Sequence, residues 1–492
     1  MIDPGSRTRS YAALVAVVTA LFMTGLAIPF VFGDPVPTTA GGLTAGGRSS
    51  SAASGAAGAA GADGEAGATS ELGGSGANSA SGATGSGPAV GSAAGGSGSG
   101  STATGGSTPA AKGPPVRVGF TLVDLGAARD AGFVLNFPGP AVQQGWWQAA
   151  IDEVNKGGGL NGRPIAPVYR NVNVLNANDA QQTCLQLTED DKVFAVVGVL
   201  YFAVADECVV NGHKTPLSTI GPNDDDTFAS GLLATLMPKT SRVIANFGGD
   251  LKRQNLLAGK SVGILTDSGS DPRGRAVKQL EGLVKSGNPK EVRTATLGAD
   301  LTSAAAQTSV VVSNWRNAGV DTVLFIVNPQ YAIAFVQNAD RQFWKPKYFV
   351  SDFASIGNSD IATAGMSEGF DGALSITSTR VNRPPNDALN RCVDILRRNG
   401  HPVEDPVQAP AAGQQCDMLN VFVAGARAAG STLTHATYSQ GVQRAGSIPA
   451  SRVGDGAFGP NKFDLADQVT SVRWYYDCGC YRPEGDFRPG AG

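Results

Sequence analysis

The sequence carries little charge and very little histidine. Only 16% of its 492 residues are charged, and 38 Lys and Arg against 41 Asp and Glu give a formal net charge of −3. Proteins that bind nucleic acid normally show a basic excess, so this balance argues against a nucleic-acid partner. The three histidines, His213, His401 and His435, offer few candidates for proton transfer, and none lies at ligand spacing to a pair of cysteines. We expect no metal site.

Sequence motifs of catalysis are scarce as well. Residues 115–492 contain neither the phosphate-binding loop G-x-x-x-x-G-K-[ST] nor the zinc motif H-E-x-x-H. Residues 454–459 have the glycine spacing G-x-G-x-x-G, but no helical pattern follows them, so they predict a turn. We therefore expect that the protein is not an enzyme and that it needs no cofactor.

One long run near the start lacks charge entirely. Residues 11–33 are uncharged and mostly apolar, and the run is long enough to cross a bilayer about 30 Å thick. Arg7 and Arg9 precede the run and the next basic residue is Arg48, so the chain after residue 33 is expected outside the membrane. Residues 1–33 are either an uncleaved membrane anchor or a cleaved signal segment. Both interpretations predict an extracytoplasmic protein at the cell surface, membrane-anchored or secreted.

Residues 34–114 are rich in Gly, Ala, Ser and Thr and carry few charges. Such a composition cannot bury enough apolar surface to fold, so it predicts a disordered linker. A flexible chain of about 80 residues reaches about 50 Å. The segment is either a linker without a binding role or a tether that spans a cell wall.

No cysteine precedes residue 184, which excludes a lipid-modified cysteine near the N-terminus. The six cysteines are Cys184, Cys208, Cys392, Cys416, Cys478 and Cys480. An even number in an exported chain favours disulfides over a metal site. The first two lie 24 residues apart on successive predicted helices, the next two repeat that spacing, and the last two form a compact C-G-C. Several connectivities remain open.

The apolar pattern of residues 115–351 alternates between strand and helix. Strands are predicted at 116–122, 165–169, 193–197, 216–220, 262–265, 291–296, 322–327 and 348–351. Helices are predicted at 142–156, 179–189, 204–211, 274–286, 303–318 and 331–342. Alternation with short connections indicates parallel sheets covered by helices, and two successive sets indicate two α/β domains.

The loops that follow these strands are the place to look for a ligand, because open parallel sheets bind ligands beyond the carboxyl ends of their strands. These loops carry aromatic, amide and carboxylate side chains, a mixture that suits a small solute with an apolar body and a polar head. The candidate contacts are Phe137, Tyr201, Phe202, Asn223, Asp224, Asn328, Tyr331 and Asp352. Each also has a structural interpretation, since an Asp at a loop tip commonly caps a turn or a helix.

Four short patterns together resemble a known family. They are AIDEVN with GGLNGRPI at 150–165, the strand at 193–197 that ends in Gly198, GFDG at 369–372, and GPNKFD at 459–464. In this order and spacing they are similar to segments of the type I periplasmic solute-binding proteins, in particular the leucine/isoleucine/valine-binding receptors of ABC importers. The resemblance covers about residues 115–477.

The resemblance implies two Rossmann-like lobes with parallel sheets, joined by three crossover segments near Leu236, Ser378 and Gly456. The N-terminal lobe would comprise residues 115–236 and 378–455, and the C-terminal lobe residues 237–377 and 456–492. A solute would bind in the cleft and close the lobes about a hinge. The implied partner is an ABC importer permease, and a monomer is the family's usual state.

The resemblance also assigns site residues. Asp352 matches an acidic residue that holds the ligand ammonium in amino-acid-binding members, and Asn328 and Tyr331 match a second contact loop. Two loops depart from the family: residues 200–203 read LYFA where Ser or Thr hydroxyls usually meet a ligand carboxylate, and residues 222–224 read PND. A carboxylate beside Asp224 would be disfavoured unless that side chain points away. The solute is therefore an amino acid, an amide-like compound or a ligand without a carboxylate.

Two functions remain in view from the sequence. One is an extracytoplasmic receptor that captures a small amino-acid-like or amide-like solute and delivers it to an ABC importer. The alternative is a surface-tethered ligand sensor of the same fold without a role in transport, which the long tether and the two altered loops favour.

Overall fold

The computed structural model describes residues 111–490 except 127–128, 130–136, 175, 222, 269–270, 299–303, 361 and 364, and without the side chains of 271–273 and 354. The described residues belong to one compact unit. The apolar run at 11–33 and the linker up to residue 110 lie outside the described residues. Within the described part of the chain, no helix has the length and apolar character that a membrane span needs.

The first sheet contains five parallel strands in the order β2-β1-β3-β4-β5. The strands are β1 (Val116–Asp124), β2 (Ile165–Asn173), β3 (Ala195–Val197), β4 (Leu217–Thr219) and β5 (Leu233–Thr235). The helices between them are α1 (Pro140–Lys156), α2 (Ala177–Leu185), α3 (Ala203–Glu207) and α4 (Asp225–Phe228), and π-helical turns at Gln186–Asp190 and Cys208–Gly212 extend α2 and α3. Strands β3, β4 and β5 are buried along their whole length, as a sheet covered on both faces requires.

The second sheet has the order β12-β11-β10-β9-β8-β6-β7, with β13 paired to β11. Its strands are β6 (Ser261–Asp267), β7 (Glu291–Leu297), β8 (Thr322–Ile326), β9 (Lys347–Ser351), β10 (Leu374–Thr377), β11 (Gln468–Tyr475), β12 (Cys480–Pro483) and β13 (Arg488–Pro489). The helices that precede or alternate with its parallel strands are α5 (Thr240–Arg253), α6 (Asp271–Lys285), α7 (Ala304–Asn317) and α8 (Pro329–Arg341). Strands β6 to β10 are parallel, whereas β11, β12 and β13 are antiparallel. The sequence pattern did not predict this antiparallel edge, because it arises from a terminal hairpin without a crossover helix.

Helix α1 illustrates why the predicted elements form where they do. Pro140 stands at its start, where the missing N–H of proline is not needed, and Gly157 follows its last residue. Trp146, Trp147 and Ile151 are buried on the face that covers the first sheet. The burial of these large apolar side chains, each worth about 1.5–3 kcal/mol, fixes the helix against β1.

Three later helices return to the first sheet. They are α9 (Asp387–Arg398), α10 (Ala409–Ala428) and α11 (His435–Arg444). Helix α10 packs on β4, where the Ser218 hydroxyl donates a hydrogen bond to the Met418 carbonyl oxygen at 2.9 Å. The apolar core of the first sheet therefore includes residues far apart in the chain, from Val116 to Ala466.

The chain passes three times between the two sheets: between β5 and α5, between β10 and α9, and between α11 and β11. The second and third passages pair with each other, since the Arg380 N–H donates to the Arg452 carbonyl oxygen at 2.8 Å. The first and third passages are also joined, through the Ala466 N–H and the Leu236 carbonyl oxygen at 3.0 Å. The lobe boundaries given above stay a prediction.

Three disulfides pair the six cysteines. Cys184 is joined to Cys208, so α2 is tied to the π-helical turn after α3. Cys392 is joined to Cys416, which ties α9 to α10. The last pair, Cys478 and Cys480, closes a small ring at the start of β12. The two longer bridges fix the helices around the first sheet.

Candidate functional site

The carboxyl end of β1 is held by the side chain of Gln143 on α1. Its amide oxygen accepts from the Val123 N–H at 2.9 Å, and its amide nitrogen donates to the carbonyl oxygens of Val123 and Pro138 at 2.7 and 2.8 Å. Gln143 is buried, so these bonds satisfy its amide away from water. They also fix the position of Phe137, which is half-buried beside Pro138.

The loop after β3 brings two of the predicted aromatic residues to the same edge of the sheet. Tyr201 is 47% exposed and has a φ of 65°, a left-handed conformation that is uncommon for a residue with a large side chain. Phe202 is half-buried and its carbonyl oxygen accepts the first bonds of α3, from the N–H groups of Ala205 and Asp206. Backbone strain of this kind commonly occurs at ligand-binding sites.

The loop after β4 contains Asn223 and Asp224. Asn223 is buried, its carbonyl oxygen accepts from the Thr240 N–H at 2.9 Å, and its side chain is hydrogen-bonded to Asp206 on α3. Burial raises the pKa of Asp206 to about 7, against the Asn223 hydrogen bond and with help from the charge of Glu207. Asp206 is therefore a carboxyl group that titrates near neutral pH, and its Oδ1 has no hydrogen-bond partner. Asp224 is half-buried and precedes α4, whose Thr227 N–H donates to its carbonyl oxygen at 3.0 Å.

The carboxyl edge of the second sheet is more fully bonded. The Asn328 N–H donates to Oδ2 of the buried Asp267 at 2.9 Å, which links the ends of β6 and β8. The Asn328 side chain accepts from the Gln330 N–H and so caps α8. Tyr331 is 1% exposed, packs in the core of this sheet, and donates its hydroxyl to the Gly298 carbonyl oxygen. Asn328 and Tyr331 therefore both have structural roles in the fold.

Asp352 lies at the end of β9 and is buried. Its Oδ2 accepts from the N–H and the hydroxyl of Ser378, both at 2.7 Å, while its Oδ1 accepts from Asn358 at 2.8 Å and from the Thr377 hydroxyl. Burial raises its pKa, although all four of these bonds stabilise the charged form. The carboxylate thus braces the second passage between the sheets, at the first residues beyond β10.

A cavity of about 20 Å³ opens among β1, the loop after β3, α1 and α10. Its lining residues are Thr121, Val123, Phe137, Gln143, Trp146, Trp147, Gly198, Val199, Ala411, Gln414, Gln415 and Met418. Phe137 is the one predicted site residue in this lining. A space of this size holds one water-sized group.

A larger groove of about 680 Å³ runs along the third passage. Its lining contains the polar residues Ser447, Asp455, Asp467 and Gln468 with small or aliphatic residues, and no aromatic side chain. It contains none of the predicted ligand contacts at the carboxyl ends of the parallel strands, where open sheets of this class bind their ligands. We therefore place the candidate site at the strand ends.

One group of three among the described residues could supply metal ligands: Cys184, Cys208 and His213 have ligand atoms within 4.8 Å of one another. His213 is closer to this cysteine pair than the spacing suggested, because a π-helical turn lies between it and α3. The two sulfurs are joined in a disulfide, so they offer no thiolate to a metal. The group is therefore structural in this state.

Residues 365–369 read GMSEG and match the G-x-S-x-G spacing of a hydrolase nucleophile. Ser367 precedes a short 3₁₀-helix (Glu368–Phe370), whereas a nucleophile elbow needs a strand before it and an α-helix after it. Two of the three histidines contact first-sheet elements, since His401 lies against Gly145 of α1 and His435 packs on Phe194. The GMSEG segment at residues 365–369 is therefore a turn, and it gives no support to an enzyme.

Sequence reasoning missed Thr121, Asp206 and Gln415. Thr121 had a weak signal, because it is a polar residue between the apolar Phe120 and Leu122 of β1. Gln415 had none, since its place beside β1 depends on the return of α10 to the first sheet. Both have a buried oxygen without a hydrogen-bond partner, Oγ1 in Thr121 and Oε1 in Gln415.

Comparison with known proteins gives a consistent result. A family model described as periplasmic binding protein matches residues 132–476. No curated protein matches the sequence. Three similar solved structures are 12% to 15% identical to the chain, so they show its fold alone.

The descriptions of these three structures name different ligands. The branched-chain amino acid transporter substrate-binding protein LivJ from Streptococcus pneumoniae, solved with isoleucine, is 15% identical, covers 76% of this chain and 99% of its own, and has a TM-score of 0.55. A solute-binding protein of an ABC transporter from R. palustris, solved with 4-hydroxybenzoate, is 12% identical over 76% and 97%, with a TM-score of 0.55. A fatty acid ABC transporter substrate-binding protein from Thermomonospora curvata is 14% identical over 78% and 95%, with a TM-score of 0.54.

Proposed function

We propose that this chain, which belongs to the periplasmic binding protein family, is an extracytoplasmic receptor that binds a small solute between its two sheets and delivers it to an ABC importer. The observation that carries the proposal is the loop cluster at the carboxyl end of the first sheet. There, half-exposed aromatic side chains stand beside buried polar atoms that the protein itself does not use. Such a surface is suited to a ligand with an apolar body and polar groups.

The two sheets meet near this edge. Arg275 on α6, which follows the carboxyl end of β6, pairs with Asp226 on α4 at 2.5 Å. Both side chains are more than half exposed, so the pair is weak and easily broken. With three hydrogen-bonded passages as the hinge, a solute that contacts both edges would shift the lobes toward a closed state.

The chemical class of the solute is proposed here as amino-acid-like or amide-like. The apolar part of the solute would contact Phe137, Tyr201 and Phe202. Polar contacts are proposed for Asn223, Asp224, Asn328 and Tyr331. A ligand ammonium at Asp352 would have to replace one of the four hydrogen bonds that this carboxylate already accepts.

Asp352→Asn separates the two roles of that residue. The amide keeps the shape and loses the charge, so a ligand ammonium held by Asp352 would bind at least 10-fold more weakly to the variant. Unchanged affinity would assign Asp352 to the hinge alone. Asp224→Asn removes the charge of a proposed contact at the opposite edge, and we expect it to change the affinity less than Asp352→Asn does.

A tethered sensor without transport is the second candidate. The Gly/Ala/Ser segment at 34–114 and the LYFA loop at 200–203 favour it, because the loop departs from the family's usual carboxylate clamp. Uptake of radiolabelled solute by cells with and without the gene tests the choice. Loss of uptake on deletion supports the importer receptor, and undiminished uptake together with solute binding supports the sensor.

The N-terminal run at 11–33 is proposed to place the receptor outside the membrane, as an anchor or as a cleaved signal. Intact-protein mass spectrometry of the chain from the native membrane decides between them. A mass that includes residues 1–33 identifies an anchor. A mass that lacks them identifies a secreted protein.

A further inference from the structure

The small cavity among β1, α1 and α10 contains two buried polar side chains with no partner. Thr121 is 2% exposed and Gln415 is 7% exposed, yet neither Oγ1 of Thr121 nor Oε1 of Gln415 is hydrogen-bonded. A buried polar group left without a partner costs about 1–3 kcal/mol. Two such groups lining one cavity therefore indicate that something else completes their bonding.

A third polar side chain in the same wall provides the contrast. Gln143 bonds both ends of its amide to the backbone at Val123 and Pro138. The amide of Gln143 therefore belongs to the fold, whereas Thr121 and Gln415 line the same cavity and each has a buried oxygen that no group of the protein bonds. Positions 411, 415 and 418 lie on one face of α10, which explains how Gln415 comes to point there.

The wall excludes charge. Among the described residues that line the cavity, none is ionisable, and Trp146, Trp147, Phe137 and Met418 supply an apolar surface. An ionic group placed there would lose its hydration without gaining a counter-charge, which is strongly unfavourable. The occupant is therefore neutral where it touches Thr121 and Gln415.

Gly198 leaves room beside the Thr121 hydroxyl. A Cβ atom built at Gly198 would lie 2.0 Å from Oγ1 of Thr121, and the residue has a φ of 140°. Any side chain at this position would cover the hydroxyl. The indole N–H of Trp147 is already used, because it donates to the Thr121 carbonyl oxygen at 3.3 Å, so this tryptophan offers its apolar surface.

We propose that this cavity is the inner end of the solute site and that it receives an uncharged hydrogen-bond-donating group of the solute, a hydroxyl or an amide N–H. The inference rests on the proposed function, since it names the chemistry that the first sheet selects in the bound solute. A carboxylate or ammonium of the same solute would lie outside this pocket, toward the second sheet. The volume of about 20 Å³ limits the group to roughly the size of one water.

Matched solutes test the proposal on the purified full chain. The probes are 4-hydroxybenzoate with benzoate and tyrosine with phenylalanine, each pair differing by one hydroxyl, and affinity is measured by isothermal titration. We expect the hydroxylated member of a bound pair to bind about 10-fold more tightly, because its partner leaves Thr121 and Gln415 unsatisfied. The preference should fall below about 3-fold in Thr121→Val and in Gln415→Met.

Thr183→Val is the matched control. Thr183 is equally buried, but its hydroxyl donates to the carbonyl oxygens of Asp179 and Asn171 at 3.0 and 3.2 Å, away from the cavity. The preference for the hydroxylated probe should survive in this variant. Equal affinity for both members of each bound pair, or a preference that Thr121→Val and Gln415→Met leave intact, would overturn the subsite.

A second measurement needs no ligand. Thr121→Val should leave the midpoint of thermal unfolding of the ligand-free chain unchanged or higher, because it removes an unsatisfied buried hydroxyl. Thr183→Val should lower it by about 1–3 °C, because it breaks two internal bonds. An equal loss in Thr121→Val would show that its hydroxyl serves the fold and would refute the subsite.

Different results would contradict the receptor function and the subsite. If no solute of any class binds the chain, the receptor function is contradicted, and the unfolding midpoints alone decide whether the cavity is a polar pocket. If solutes bind without regard to their hydroxyl groups, the receptor stands and the subsite is refuted.

Discussion

The carboxyl edges of the two sheets differ in how much of their hydrogen-bonding capacity the protein itself uses. At the second sheet, Asp352 accepts four hydrogen bonds, Asp267 accepts one from Asn328, and the Tyr331 hydroxyl is bonded to Gly298. At the first sheet, oxygens of Thr121, Asp206 and Gln415 are buried without a partner. The polar groups of the second edge stabilise its own conformation, whereas the unpartnered oxygens of the first edge are suited to bond a ligand.

This difference suggests an order of events. A solute would first satisfy the free groups of the first edge, and the well-braced second edge would then close over it about the three passages. Two buried carboxylates hold the third passage in place, one on α10 and one in the passage itself. Asp417, whose pKa burial raises to about 6, accepts from Ser451 and the Arg452 N–H, and Asp464 accepts from Arg242 at 2.6 Å.

The largest expected effect comes from breaking the second edge. Asp352→Ala would leave the polar groups of Ser378, Thr377 and Asn358 without their acceptor, so we expect the free energy of unfolding to fall by about 3 kcal/mol. Asp224→Ala, at the half-buried start of α4, should cost about 1 kcal/mol or less. Chemical denaturation of both variants measures the difference, and equal losses would contradict the contrast between the edges.

The pH dependence of stability examines the first edge. Because burial raises the pKa of Asp206 to about 7, the folded protein holds more protons than the unfolded chain between about pH 4 and 7. Stability linked to this group is therefore full below about pH 4 and is lost as the pH rises toward 7. Relative to Asp206→Asn, the parent protein should lose about 2–5 °C in unfolding midpoint between pH 4 and pH 8. A parallel pH profile in the variant would show that Asp206 is not the titrating group.

Tyr201 provides a smaller and opposite effect. Its φ of 65° is strained for a large side chain, so Tyr201→Gly should leave stability unchanged or raise it by about 1 kcal/mol. The same change removes an exposed aromatic surface, so binding of any solute found should weaken several-fold. Loss of stability without loss of binding would contradict its assignment to the site.

The smallest effect is expected at the contact between the lobes. Arg275→Ala removes a salt bridge to Asp226 that is largely exposed, so the free energy of unfolding should change by less than about 0.5 kcal/mol. If this pair biases the lobes toward closure, solute affinity should fall by a few-fold, more at low than at high salt. Arg253→Ala, at a pair with Asp250 remote from the strand ends, controls for the loss of one exposed arginine. An identical response of affinity in both variants would remove Arg275 from the mechanism.

Much of this molecule was predictable because its signals are local. Apolar runs such as 262–265 and 322–327 indicated strands, and the structure places β6 and β8 there. Spacing made the pairs Cys184–Cys208 and Cys392–Cys416 plausible, and the structure contains both. The family match at residues 132–476 agrees with the resemblance that four short motifs indicated.

The site was less predictable because its contacts are remote in sequence. The predicted strand end correctly placed Asp352 at a carboxyl edge. Its partners Thr377 and Ser378 lie at the end of the next strand, so their hydrogen bonds to its carboxylate could not be predicted from the sequence. Gln415 reaches β1 only because α10 returns across nearly 300 residues of chain. The ligand contacts proposed for Asn328, Tyr331 and Asp352 stay a prediction.

A thermal-unfolding screen of the full chain is the most direct measurement of the central claim that the free polar edge of the first sheet binds a small solute. The panel contains branched-chain and other amino acids, amides, aromatic acids and polyols, each in large excess, since a ligand that binds only the folded state raises the midpoint. The account predicts that at least one class raises the midpoint by several degrees and that Tyr201→Gly weakens this shift. A panel without any shift would contradict the receptor function.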